Sequence, residues 1–93
     1  MVKVLVLYDE EPDPQQYEAH AEICRRVPGG TFRHGKVFAA PPGMEQRYRY
    51  FAEFEFPDMD AFTKVATSPE FAASGQDAAA MGIPFSVHFA NIE

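Results

Sequence analysis

The segment Val2-Lys3-Val4-Leu5-Val6-Leu7-Tyr8 leaves the chain little freedom. It is β-rich and almost continuous in apolar character, yet far shorter than the roughly 20 residues that span a bilayer. Such a run suits a strand with a neighbour on each side and cover on both faces, so it is placed at the centre of a sheet. The chain must then supply flanking strands and two covering layers. It has 93 residues, which make one domain, residues 1–93. A chain of this size buries only about 60–65% of the surface it exposes when unfolded. Its core is thin, and a second copy would help to complete it.

The rest of the sequence alternates helix and strand signals. Asp9 to Asp13 is a turn, and Asp13-Pro14 reads as an N-cap followed by proline at the first helical position. Tyr17, His20, Ala21 and Cys24 then recur at helical spacing until Pro28-Gly29-Gly30 stops the helix. Thr31 to Ala40 is a weakly alternating strand, with a bulge expected at Gly35. Pro41-Pro42-Gly43 breaks it. Arg47 to Phe56 is the clearest strand: Tyr48, Tyr50, Ala52, Phe54 and Phe56 share one face, and Arg47, Arg49, Phe51, Glu53 and Glu55 the other. Asp58 caps a short helix carrying Phe62, Val65 and Ala66. Ser68-Pro69 starts a second, alanine-rich helix over Glu70 to Met81, ended by Gly82. Ile83 to Ile92 alternates again as a last strand.

The order β-α-β-β-α-β is the ferredoxin-like split pattern. It is an α+β fold with a four-stranded antiparallel sheet and the helices on one face. Right-handed crossovers put the first and third strands in the middle. The other face is bare and carries apolar groups, Phe51 among them. Two such sheets facing each other would cover it, so a homodimer through the open sheet face is expected.

Composition narrows the partners. The net charge of −6 argues against nucleic acid and anionic membranes, which both need basic surfaces. The single cysteine, Cys24, excludes a disulfide framework. No secretory signal is read at the start, and the cytoplasm is the default compartment.

The opening strand, the Asp13-Pro14 helix start with Tyr17 and His20, and the Val27-Pro28-Gly29 helix end resemble the EthD family. So do Tyr50-Phe51-Ala52-Glu53-Phe54-Glu55-Phe56, Asp58, Phe62 and Ser68-Pro69-Glu70-Phe71 further on. The resemblance covers most of the chain. It implies a dimeric α+β barrel in which two ferredoxin-like units pack sheet to sheet. It also implies a role in degradation, in a superfamily that includes cofactor-free monooxygenases, haem-binding enzymes, cyclases and isomerases. One departure stands out. The family usually carries a second histidine in a longer first helix, and the stretch Ala21-Glu22-Ile23-Cys24-Arg25-Arg26 has none.

Among residues that carry chemistry, His20 is the candidate acid or base. Tyr8, Tyr17, Phe51, Glu53 and His88 are the candidate pocket residues, with Tyr8, His20 and His88 expected to converge. The alternative for His20 is a buried histidine satisfied by hydrogen bonds. For the aromatics it is core packing. For Glu53 and Glu55 it is cross-strand pairing with Lys3 or Arg33. Cys24 reads as a small buried hydrophobe rather than a nucleophile. His34 and His88 fall on opposite edge strands, so no three-histidine metal site is expected, and no cofactor is expected either. Two functions are compatible with these residues. One is a protein that binds or transforms a small apolar compound, with an oxidoreductase or monooxygenase-like role. The other is a non-catalytic dimeric accessory or structural module.

Overall fold

A computed structural model describes all 93 residues. Its elements run β1 (Val2–Tyr8), α1 (Pro14–Arg25), β2 (Thr31–Lys36), β3 (Tyr50–Phe56), α2 (Met59–Ala66), α3 (Pro69–Ala80) and β4 (Phe85–Asn91). The strands form one antiparallel sheet in the order β2-β3-β1-β4. β1 and β3 are central, as the handedness of the crossovers requires. The Cα atoms extend only 16 Å along the shortest axis, the thickness of one sheet under one layer of helices.

Each helix begins where side-chain chemistry allows. The Asp13 carboxylate accepts the Gln16 N–H at 3.0 Å. Asp58 accepts from Ala61 at 2.8 Å. The Ser68 hydroxyl accepts from Phe71 at 3.2 Å. These bonds satisfy amides that have no partner inside the first helical turn.

Cross-strand pairing divides the side chains between two faces. Val2, Val4, Val6 and Tyr8 point under the helices with Ala52, Phe54 and Phe56, and all are buried. Lys3, Leu5, Leu7, Phe51, Glu53 and Glu55 point to the open face and are half-buried. The continuous apolar run in β1 therefore has two different settings, a finished core on one side and an incomplete one on the other.

The strand ends differ from those expected. β2 stops at Lys36 rather than Ala40, and β3 starts at Tyr50 rather than Arg47. Pairing continues there through single bonds, Val37 N–H to Arg49 O and Arg49 N–H to Tyr8 O. β2 has no bulge at Gly35, since its register with β3 is unbroken from Thr31↔Glu55 to Lys36↔Tyr50. The glycine serves a different purpose: a Cβ there would sit 3.1 Å from the Phe51 ring, which occupies that space. Gly30 is tighter still, because a Cβ would meet Glu55 O at 2.7 Å and the Phe56 ring at 2.8 Å.

Candidate functional site

The site is built where α1 and α3 pack against each other on the covered face of the sheet. Tyr17, His20, Ala21 and Cys24 form the buried stripe of α1. His20 and Cys24 are four residues apart, one above the other on that stripe. The His20 Nε2 lies 3.3 Å from Cys24 Sγ, and its Nδ1 lies 2.7 Å from Asp77 Oδ2 on α3. A carboxylate can only accept, so Nδ1 carries the proton. In the neutral imidazole Nε2 then presents a lone pair to the thiol. The arrangement is a directed chain from the Cys24 S–H through His20 to Asp77. Its inner members are 2% and 3% exposed, and the Asp77 side chain is 36% exposed. Burial, reinforced by the Asp77 charge and opposed by Arg25, pushes the Cys24 thiol up to about 12.

Tyrosines border this chain. The Tyr8 and Tyr17 hydroxyls lie 3.1 Å apart, and burial raises both phenols above their ordinary range. The Tyr17 ring packs against His20, His34 and Tyr50 with centroids 4.8–5.2 Å apart. His34 Nδ1 lies 2.6 Å from the Tyr50 hydroxyl. Burial, helped by the Arg25 charge, holds the His34 imidazole below its usual value.

Beside Cys24 an apolar cavity of about 150 Å³ lies between α3 and the sheet. Val4, Val6 and Tyr8 form its floor, Phe71 and Ala78 its roof, and Phe85, Val87 and Phe89 of β4 its outer side. Val87 and Phe89 are 45% and 63% exposed, so this side is the mouth. Ser74 also lines the cavity, but its hydroxyl donates to Phe71 O at 2.6 Å. The other polar side chains that line it are Cys24 and Tyr8, hydrogen-bonded to His20 and Tyr17.

The expected convergence of Tyr8, His20 and His88 does not occur. Strand side chains alternate, and in the β1–β4 register His88 stands opposite Leu5, on the open face. There the His88 Nε2 lies 3.1 Å from the Ser86 hydroxyl. Phe51 and Glu53 share that face, away from Tyr8 and Tyr17. Glu53 meets Lys3 at 3.0 Å and Arg33 at 2.8 Å; Glu55 meets them at 3.5 and 3.4 Å. These are the cross-strand pairs expected of structural carboxylates. The sequence reading missed Asp77. A lone acid near the C-terminal end of an alanine-rich helix opposes the helix dipole, and that was the available signal that it has a tertiary partner.

A four-stranded sheet in this order, with its helices on one face and a pocket between the layers, defines a ferredoxin-like α+β protein. The family model for the EthD domain matches residues 8–81, and the chain belongs to the EthD family. No curated protein matches the sequence. Among solved structures, an EthD family protein from Bacillus halodurans C-125 is 23% identical. It superposes with a TM-score of 0.80 over 100% of this chain and 99% of its own. A dimeric ferredoxin-like protein of unknown function from Jannaschia sp. CCS1 is 21% identical, with a TM-score of 0.72 over 98% of each chain. SnoaB, a cofactor-independent oxygenase from Streptomyces nogalater, is 18% identical, with a TM-score of 0.61 over 99% of this chain and 92% of its own. At these identities the likeness is one of fold.

Proposed function

We propose that the protein is a cytoplasmic homodimer that binds, and acts on, a small apolar compound in the cavity between α3 and the sheet. The observation that carries this reading is the cavity itself. Its walls are apolar, and the few polar groups on them, Tyr8 and Cys24, are connected to hydrogen-bonded chains. Ligand sites combine these features: apolar lining for affinity and few polar groups for orientation. The volume sets the size of the ligand. Drug-sized sites begin at about 300 Å³, whereas an engineered apolar cavity of about 150 Å³ holds benzene. The ligand is therefore about one ring in size.

An oxidoreductase or monooxygenase-like reaction is supported by SnoaB, whose fold the chain shares and which is a cofactor-independent oxygenase. The homodimer is supported by the half-buried Leu5, Leu7 and Phe51 on the open face, and by the dimeric Jannaschia relative. The modest cavity also favours a second reading, a non-catalytic dimeric module.

Thermal melting with toluene and cyclohexanone separates the two. Under the first reading both compounds raise the melting temperature, and Ala78→Leu, which fills the roof, abolishes the rise. A folded dimer that responds to neither compound would leave only the module.

A further inference from the structure

The Asp77–His20–Cys24 chain does more than satisfy a buried histidine, because Cys24, at its inner end, is among the residues that line the cavity. Its other end reaches the surface. His20 and Asp77 line a separate shallow groove where α1 meets α3, with Gln16, Ala19 and Ile23 of α1 and Ala80 of α3. The three groups therefore connect an apolar chamber to solvent through two short hydrogen bonds, in the order thiol, imidazole, carboxylate. A base within reach of a thiol, itself oriented by a third group, is the arrangement that activates a nucleophile.

We propose that Cys24 adds covalently to small neutral α,β-unsaturated ketones that enter the cavity, with His20 as the base and Asp77 as its positioning residue. The proposal rests on the cavity being a ligand site, and not on any oxidative reaction there. The step is redox-neutral. The Cys24 S–H bond breaks and its proton passes to His20 Nε2. The sulfur electron pair forms a bond to the β-carbon, and the π pair of the alkene moves toward the carbonyl oxygen as an enolate. The imidazolium then returns the proton to the α-carbon, leaving a saturated thioether and a neutral His20. No oxidant or leaving group is needed. The Tyr8 hydroxyl can serve the carbonyl oxygen when Tyr17 is the donor within their pair.

The buried setting of the thiol defines the selectivity. A free thiolate is disfavoured in the apolar wall, so the proton must leave as the new bond forms. Reagents that reach both the cavity and His20 react, and those confined to water do not.

The test is mass spectrometry of the native protein with cyclohexenone, using cyclohexanone as the unreactive reporter of cavity binding. A single adduct on Cys24 is expected. Its rate should saturate with cyclohexenone and be competed by cyclohexanone. His20→Gln should slow the limiting rate about 100-fold, the lower end of what a positioned base contributes. Asp77→Asn should lower the limiting rate by less and leave the half-saturating concentration unchanged. A purely structural role for Asp77 would not give that split. If His20→Gln does not fold, Asp77→Asn, on a partly exposed side chain, carries the comparison alone. Cyclohexanone binding without any Cys24 adduct from cyclohexenone would overturn the inference and leave the cavity reading standing. Equal rates in the wild type and His20→Gln would also overturn it. Failure of cyclohexanone to bind would remove both.

Discussion

The His20 Nδ1 lies 2.7 Å from the Asp77 Oδ2 and joins residues 57 positions apart. α1 and α3 follow different strands, and this contact fixes how one helix sits against the other. The His20 ring is buried at 3% exposure, so removing Asp77 takes away the protein acceptor of its Nδ1–H. Asp77→Ala is therefore expected to lower the unfolding free energy by about 1–3 kcal/mol, the cost of stranding a buried polar group. Asp77→Asn keeps an acceptor and should cost less. Urea denaturation measures both, and an unchanged midpoint in Asp77→Ala would contradict the packing described.

A second prediction concerns Gly30, where the chain enters β2. A methyl group there would press on Glu55 O and on the wholly buried Phe56 ring. Backbone cannot swing aside as a flexible side chain can. Gly30→Ala should cost about 1–3 kcal/mol, the usual range for overpacking a core. Gly35→Ala should cost less, because only the Phe51 ring must yield.

The carboxylates of the open face predict how stability depends on acid. Burial raises the Glu53 carboxyl, but hydrogen bonds and charge from Arg33 and Lys3 outweigh it and hold the group below its ordinary 4.5. A depressed carboxyl stabilises the fold fully above that ordinary value and loses its contribution as pH falls through the lower folded value. Thermal melting from pH 6 down should show a decline that begins near 4.5. In Glu53→Gln this part of the decline should be absent, with a loss of about 1 kcal/mol at neutral pH. An identical profile in the variant would show that the network contributes nothing.

The same face should hold the second subunit. Leu5 stands between Glu53 and His88 in the sheet registers, next to the half-buried Leu7–Phe51 pair. Leu5→Arg adds a charge that a sheet-to-sheet interface would have to desolvate. Sedimentation velocity at micromolar concentration should show a dimer for the wild type and a shift to monomer for the variant. A wild-type monomer would contradict the dimer.

The sequence carried the architecture further than the site. β1 was legible because seven nearly continuous apolar residues suit only a central strand. The helix starts were legible because Asp13, Asp58 and Ser68 are capping residues at the head of apolar-periodic segments. Strand ends were less so: alternation runs on to Ala40 and starts at Arg47, where only single bonds at Val37 and Arg49 continue the pairing. The pocket was mixed. Of the expected residues only Tyr8 lines the cavity, with Tyr17 and His20 beside it on α1, whereas Phe51, Glu53 and His88 lie across the sheet. Alternation within one strand shows which residues share a face. Which face meets the helices is set by packing between elements. The position of Asp77 near the end of α3 signals a tertiary partner, but that partner lies on another helix and only packing names it.

The account stands on the cavity between α3 and the sheet. The most direct measurement is the methyl NMR spectrum of the native protein titrated with toluene. Val4, Val6, Val87 and Ala78 line the cavity and should shift together and saturate, while Leu5 and Leu7 on the opposite face stay still. If toluene left the methyl groups of these four residues unmoved, or moved both faces alike, the central claim would be contradicted.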